Sequence, residues 1–488
     1  MTLSSSLKAG LLLAGLTDAA VLMNNALAAT PQLGWDNWNA FGCDVSEDLL
    51  LGTAKRMVEI GLRDAGYQYV ILDDCWSNGR YHNQSLRPDF TKFPNGMAYV
   101  ADQIHQLGLL YGMYSDAGFY TCGQYAGSLG YETIDANTFA GWGVDYLKYD
   151  NCFNAGESGT PNISYARYEK MSRALNATGR EIFYSMCNWG QDRPFDWAYS
   201  IANSYRISGD IYDNFDRPDV RCPCEGFKEG ANCWFPGYHC SVVNIFNKVA
   251  SFAHRGQPGA WLDLDMLEVG NGGMNDEEYK THMTMWAVLK SSLVMGTDIR
   301  SLDAQAYSIY TNPAILAINQ DPTGSSANQR WSIPASSVNK YGMGELQMWA
   351  GSLAQGEYVV VLFNGANTDM SLNATLADIF IDDGGVNSQE AKSSWDLYDL
   401  WANRMPNATA SAILNSNSTA GIADSSKYLF NSTAKSFKDG IMSNNTVLMG
   451  SKCGSVGPMG TISATVPRHG VMAYRLRPQG APVSANTY

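Results

Sequence analysis

Five short apolar runs end on, or just before, aspartates: 69–72 before Asp73 and Asp74, 109–114 before Asp116, 144–147 before Asp150, 205–207 before Asp210, and 260–264 before Asp265. Lys148 stands beside one of these carboxylates, and Arg206 lies inside another run. A buried strand gains nothing from a lysine or an arginine unless a partner or ligand offsets the cost of desolvating the charge. Carboxylates, two fixed cations and the aromatics Trp35, Trp76, Tyr114 and Trp189 suit a pocket for a sugar. Hydroxyls need strong donors and acceptors, and the C–H face of a pyranose packs on a flat ring. Two carboxylates flanking a glycosidic bond are also sufficient to cleave it. The structural alternative is that each aspartate caps a following helix. For Asp116 that reading is preferred, but capping leaves Lys148 and Arg206 unexplained. Other chemistries are poorly served: there is no Gly-x-Ser-x-Gly elbow and no His-Glu-x-x-His pair. Lys148 near Asp150 opposes a bound cation, so neither a metal nor a cofactor is expected.

For those carboxylates to converge, the runs must end on one side of a sheet. Helical periods lie between them, with Ala54, Met57, Val58 and Leu62 on one face, and Val100, Ile104 and Leu107 on another before a stop at Gly108. Further runs occupy 182–186, ending in Cys187-Asn188-Trp189, and 292–295. Alternation of this kind over residues 29–325 predicts a parallel sheet covered by helices, and about eight units predict a (β/α)8 TIM barrel with its chemistry at the C-terminal strand ends. An open doubly wound sheet is disfavoured, since no glycine-rich phosphate loop follows the first strand. Beyond Asn319-Gln-Asp-Pro322, short strands at 345–349, 358–363 and 470–475 alternate with Gly, Asn and Ser turns. That pattern predicts a C-terminal antiparallel β-sandwich over 326–488, with a structural role.

With 488 residues, 45% of them hydrophobic and 16% charged, the chain is long enough for two folded domains. Its net charge of −14 argues against nucleic acid or an anionic membrane as partner, because both are held by basic patches. Residues 1–28 read as an export signal: Lys8 precedes apolar segments, and Ala26-Leu-Ala28 offers a small-residue cleavage site. Eight Asn-x-Ser/Thr sequons, at Asn83, Asn162, Asn176, Asn373, Asn407, Asn417, Asn431 and Asn444, agree with a secreted glycoprotein. No other stretch approaches the ~20 apolar residues of a membrane span. Ten cysteines fit an oxidising compartment, and four of them crowd into an insertion at 217–240. A zinc site is the alternative there, but secretion favours disulfides, with the nested pairing Cys222–Cys240 and Cys224–Cys233 expected.

The strings Leu33-Gly-Trp-Asp-Asn-Trp38, Leu72-Asp-Asp-Cys-Trp76, Lys148-Tyr-Asp-Asn-Cys152, Arg206-Ile-Ser-Gly-Asp210 and Asp263-Leu-Asp-Met266 resemble glycoside hydrolase family 27, with its secreted fungal α-galactosidases or melibiases. The resemblance runs in order from Leu33 through the cysteine-rich insertion into the C-terminal domain. It implies a retaining α-galactosidase that removes terminal α-galactose from melibiose, raffinose-type sugars or galactomannan side chains through a covalent galactosyl-enzyme. Asp150 matches the nucleophile and Asp210 the acid/base, whose carboxyl groups stand roughly 5–5.5 Å apart in a retaining enzyme. Asp73 and Asp74 match ligands of the galactose 4- and 6-hydroxyls, Lys148 a ligand of the 3- and 4-hydroxyls, and Arg206 with Asp265 groups near the 2-hydroxyl. Trp35 and Tyr114 match pocket-wall aromatics. Asn188 and Trp189 follow the fifth strand, where their bulk argues against the related α-N-acetylgalactosaminidases. An inactive galactose-binding protein is a further alternative, disfavoured because both aspartates are present.

The resemblance also implies disulfides Cys43–Cys75 and Cys122–Cys152, leaving Cys187 and Cys453 as free thiols. Lys148, two residues before Asp150, is expected to face the same way and help keep the nucleophile ionised, while nearby negative charge helps Asp210 hold its proton. The chain departs from the family at Tyr205, usually Trp, and at Leu262, usually Asn, where looser surroundings for Asp265 are expected. Assembly of like copies is left open.

Overall fold

The computed structural model describes residues 25–218 and 239–480. Eight parallel strands pair in sequence order: β1 (Leu33–Asp36), β2 (Tyr69–Leu72), β3 (Leu110–Asp116), β4 (Tyr146–Asp150), β5 (Phe183–Met186), β6 (Ser204–Arg206), β7 (Trp261–Asp263) and β8 (Leu293–Met295). β8 pairs with β1. The remaining gap is closed just past β7, where the Leu267 amide donates to Val294 O at 2.7 Å and Gly296 N donates to Leu267 O at 2.9 Å. The expected barrel is therefore formed. Both anticipated helices pack against it: Glu47–Glu59 buries Leu50, Ala54 and Met57, and Met97–Gln106 buries Val100, Ala101 and Ile104, whereas Leu62, expected on the first face, begins a separate short helix, Leu62–Ala65, and Val58 and Leu107 are only half-buried.

Side chains two apart on a strand share a face. On β4 this brings Tyr146, Lys148 and Asp150 to the barrel axis in that order from floor to mouth. The floor is aromatic. Tyr146 stacks on Phe183 with ring centroids 5.0 Å apart, and Tyr69 meets the two at 5.3 and 5.9 Å. Leu27 and Ala28 pack on this cluster. Ala28 O accepts from Gly259 N at 2.7 Å and from Trp261 Nε1 at 2.8 Å, while Asn25 and Asn203 exchange hydrogen bonds of 3.1 and 3.0 Å. Residues 25–28, read from sequence as the end of a cleaved leader, are part of the barrel floor.

The C-terminal domain contains β9 (Asn328–Pro334), β10 (Glu345–Ser352), β11 (Tyr358–Asn364), β12 (Met370–Thr375), β13 (Trp395–Asp399), β14 (Ser451–Val456), β15 (Thr461–Val466) and β16 (Val471–Pro478). Six of these form an antiparallel sheet in the order β9-β10-β11-β16-β13-β14. β12 pairs with β15, and their residues Leu372 and Ile462 share a core with Leu362, Trp395 and Leu476 of the larger sheet. Helices that the sequence pattern did not announce, Asn407–Ser416 among them, fill the stretch between β13 and β14. The domain is fastened to the barrel by Trp401 Nε1 donating to Thr284 Oγ1 at 3.0 Å and by a bidentate Arg404–Asp276 pair at 2.6 Å. All eight sequon asparagines are exposed. No helix among the described residues is long and apolar enough to cross a membrane.

Candidate active site

The mouth of the barrel opens on a cavity of about 170 Å³. Asp73, Asp74, Tyr114, Lys148, Asp150, Arg206, Asp210 and Asp265 all line it. They come from the ends of five strands, β2, β3, β4, β6 and β7, or the turns after them, which is how a barrel gathers a site from distant sequence. Asp150 closes β4; its Oδ2 accepts from Tyr114 Oη at 2.9 Å and its Oδ1 from the Asn151 amide at 2.9 Å. Lys148 Nζ donates to Asp73 Oδ2 at 2.6 Å. Asp74 is held by two backbone amides, Cys75 N on Oδ1 and Gly123 N on Oδ2, each at 2.7 Å. Gly123 is needed for that approach, since a Cβ there would stand 2.9 Å from Asp74 Oδ2. Arg206 Nη2 lies 2.6 Å from Asp265 Oδ2 and 3.1 Å from Asp210 Oδ1. Asp265 has a φ of 83°, a conformation costly for a non-glycine residue. It is pinned there by Met266 N on Oδ1 and Ile211 N on Oδ2, both at 2.8 Å.

Two disulfides brace this rim. Cys43–Cys75 ties the turn after Asp74 to the loop after β1, and Cys122–Cys152 ties the loops after β3 and β4. Those two loops touch so closely at Gly118 that a Cβ would fall 1.9 Å from Cys152 O.

A family model described as Alpha galactosidase A matches residues 30–321, and one described as Alpha galactosidase C-terminal beta sandwich domain matches 343–422. The α-galactosidase of Lachancea cidri is 54% identical over 455 residues, covering 93% of this chain and 95% of that one. The chain belongs to glycoside hydrolase family 27, the α-galactosidases or melibiases. Among solved structures, the Saccharomyces cerevisiae α-galactosidase superposes with a TM-score of 0.89 at 52% identity, covering 93% of this chain and 99% of that chain; the same enzyme has been solved with raffinose. The α-galactosidase I of Mortierella vinacea follows at 0.76 and 42%, covering 94% of this chain and 99% of that chain.

Burial divides the two central aspartates of this melibiase site. Burial pushes Asp150 up to about 7; Lys148 opposes the shift, while Asp210 and Asp73 add to it. Burial likewise takes Asp265 up to about 6 against the pull of Arg206. For Lys148 and Arg206 burial works against the charge, but Asp73 for the one and Asp265 for the other overcome it, and both stay cationic. Burial, then Asp150, raises Tyr114 well above its ordinary range, so it remains a donor. The Asp210 side chain is 56% exposed, at the rim of the cavity.

Several expectations need correction. Trp35 is fully buried, with Nε1 donating to Thr297 O at 2.8 Å, and does not line the cavity. Strand alternation turns it away from the axis while Asp36 faces inward; the aromatic wall comes instead from Trp38, beyond the strand end. Asn188 and Trp189 do not line it either. Asn188 is buried and donates to Gln191 O at 2.8 Å across a tight turn in which Trp189 has a φ of 57°. Asp116 caps no helix: the following helix, Glu132–Gly141, starts from Tyr131, and Asp116 Oδ2 accepts from Cys152 N at 3.0 Å. Asp265, beside which Leu262 stands where Asn is usual, has both carboxylate oxygens held as described above; Tyr205 is buried.

Cys240 is disulfide-bonded, but the pairings expected among Cys222, Cys224 and Cys233 lie outside the described residues. Cys187 is a buried free thiol, 3.4 Å from Arg206 Nη1, and Cys453 an exposed one. Sequence reading missed Asp36, Trp38, Asn39, Ile211, His239 and Met266, the last five in the cavity wall. For Asp36 a signal existed, because it is two residues past Gly34 on a strand whose neighbours already carried inward carboxylates. Its carboxyl is raised well above the ordinary range, first by burial and then by Asp73.

Proposed function

We infer that this chain hydrolyses terminal α-galactosides with retention of configuration, through a covalent intermediate on Asp150. The observation that carries this reading is the contrast on one cavity between a buried carboxylate, aimed by Tyr114 Oη and flanked by Lys148, and a rim carboxyl beside Arg206. In the first step an Asp150 oxygen attacks the anomeric carbon, the bond to the leaving oxygen breaks, and that oxygen takes the proton of Asp210. In the second, Asp210 takes a proton from water, the resulting hydroxide attacks the same carbon, and the ester bond to Asp150 breaks. Each step balances without any cofactor. Asp73, Asp74 and Lys148 supply fixed acceptors and a donor for the hydroxyls on one side of the ring, and Arg206 with Asp265 for those on the other. Such groups contribute most when they need not reorganise, and their hydrogen bonds to backbone and disulfide-braced loops meet that condition.

Raffinose-type oligosaccharides, melibiose and galactomannan side chains are the substrates we assign, in line with the raffinose complex of the yeast relative. Secretion is supported by eight exposed sequons and by disulfides close to the site. A mechanism-based galactosyl inactivator followed by peptide mapping tests the central assignment. The adduct is expected on the peptide carrying Asp150, and an adduct elsewhere overturns it. Asp150→Ala with external azide should yield the inverted β-galactosyl azide. Relative rates on aryl α-galactoside and aryl α-N-acetylgalactosaminide test the sugar, and preference for the second would sink the galactose reading.

A further inference from the structure

Asp36, the last residue of β1, takes no part in the two-carboxylate reaction, yet it stands on the barrel axis and is only 1% exposed. It walls a small inner cavity of about 20 Å³ that shares Lys148, Arg206, Asp265 and Met266 with the galactose cavity. Its Oδ1 accepts from Trp38 N at 2.9 Å, and a side-chain hydrogen bond joins its carboxyl to Asp73. We propose that Asp36 is a positioning residue for the sugar: as a neutral carboxylic acid it donates to Asp73 and accepts from Trp38 N, fixing a galactose ligand and the aromatic wall together. The proposal rests on the assignment of Asp73 to a galactose hydroxyl.

Valence gives the first argument. An ionised carboxylate only accepts, so two carboxyl groups share a hydrogen bond only when one of them carries a proton. The neighbouring charges then place that proton. Lys148 Nζ lies 2.6 Å from Asp73 Oδ2, and Asp74 N donates to Asp73 Oδ1 at 2.8 Å. Among the described residues Asp36 forms no ion pair. The other cation of the inner cavity, Arg206, is 2.6 Å from Asp265, and Asp263 Oδ1 accepts from Ser292 Oγ and Asp265 N, both at 2.8 Å. Each cation is thus committed to another carboxylate, and a charge on Asp36 would be buried largely uncompensated. Burial and then Asp73 raise its carboxyl, and Lys148 opposes them more weakly.

The consequence falls on the sugar. An ionised Asp36 would set a second negative charge against Asp73 and compete for Lys148. A neutral donor leaves the Lys148–Asp73 pair intact and its geometry set before galactose arrives. Hydrogen bonds that need not reorganise are the effective ones. Through Trp38 N the same carboxyl holds the first residue of the segment that walls the cavity.

The test compares Asp36→Asn, which keeps one donor and one acceptor in the same shape, with Asp36→Leu, which removes both. Galactose, measured as a competitive inhibitor, should bind the asparagine variant within about threefold of the parent and the leucine variant about tenfold more weakly. At neutral pH the infrared difference between parent and asparagine variant should show the carbonyl stretch of a protonated carboxyl, shifted in heavy water. A carboxylate signature in its place overturns the neutral acid. Equal weakening in both variants, or none in the leucine variant, overturns the positioning role. Should the leucine variant not fold, the infrared difference and the asparagine inhibition constant still decide, and a tenfold loss in the asparagine variant then overturns the proposal. Unchanged galactose binding in Asp73→Asn would instead overturn the assignment of Asp73 on which the proposal rests.

Discussion

The two ends of the barrel strands are built from opposite materials, and β4 carries both. At the floor its Tyr146 stacks on Phe183 against Leu27 and Ala28, and the Asn25 side chain and Ala28 O find protein partners. At the mouth its Asp150 is a carboxyl that burial raises, in a cavity walled by further carboxylates and two cations. Only three residues of chain lie between these two side chains. The strand's period of two lets one short segment serve packing at one end and chemistry at the other. The contrast teaches that the mouth is not there for stability: Asp36, Asp116, Asp150 and Asp265 are all shifted, burial first, against their charged forms.

The comparison breaks if mouth substitutions unfold the barrel while sparing activity, or if floor changes do the reverse. The largest expected effect is at Asp150→Asn. Turnover of an α-galactoside should drop by at least about 10⁴-fold, while calorimetry at neutral pH finds Tm at or above the parental value, since a carboxyl disfavoured by burial has been removed. Arg206→Met should damage both ends of the ledger. It leaves Asp265 buried without its cation, which costs about 3–5 kcal/mol in denaturant unfolding. Adding Asp265→Asn should recover much of that stability and none of the activity. Recovery of activity in the double variant would show that the pair does not belong to the site.

At the floor, a chain starting at Ala29 loses the Asn25–Asn203 exchange, the Leu27 packing and both hydrogen bonds to Ala28 O. By the usual worth of such contacts, about 2–4 kcal/mol of stability should go, with kcat/KM for raffinose unchanged. The same contacts predict that N-terminal sequencing of the mature protein finds a start upstream of Asn25. A start at Ala29 in a fully stable protein would refute the role given to this segment.

How much of this was legible in the sequence follows the same division. The mouth was readable because aspartates after apolar runs are chemically conspicuous, and Lys148 and Arg206 inside such runs admit few explanations. Trp35 and Trp38 could not be told apart by type; only the end of β1 at Asp36 decides that the first faces the helices and the second the cavity. Asp116 was misread because a helix cap and a loop staple both need a carboxylate after a strand, and only the position of Cys152 N distinguishes them. The floor contacts of residues 25–28 were hidden for a related reason: the small residues of Ala26-Leu-Ala28 fit a peptidase and a turn with positive φ at both alanines equally well. The helices between β13 and β14 escaped notice because their Asn- and Ser-rich sequences carry little apolar period.

The smallest expected effect, the dependence of stability on pH, sharpens the comparison most. Asp150 at about 7 and Asp265 at about 6 hold their protons more tightly folded than unfolded, where an aspartate titrates near 3.9. Between those values the native state carries the extra proton, so stability falls as pH rises. Their contribution is complete below about 3.9 and is lost as pH climbs through about 6 and then about 7. Tm should therefore rise when pH is lowered from slightly alkaline to mildly acidic, with roughly 2–4 °C for each kcal/mol in a domain of this size. Asp150→Asn should flatten that slope. In the aromatic cluster of the floor, burial raises the phenols of Tyr69 and Tyr146 further from neutrality. Truncation to Ala29 should accordingly lower Tm by the same amount at every pH in this window. A pH slope that survives Asp150→Asn intact, or that changes on truncation, would move the titrating carboxyls away from the mouth.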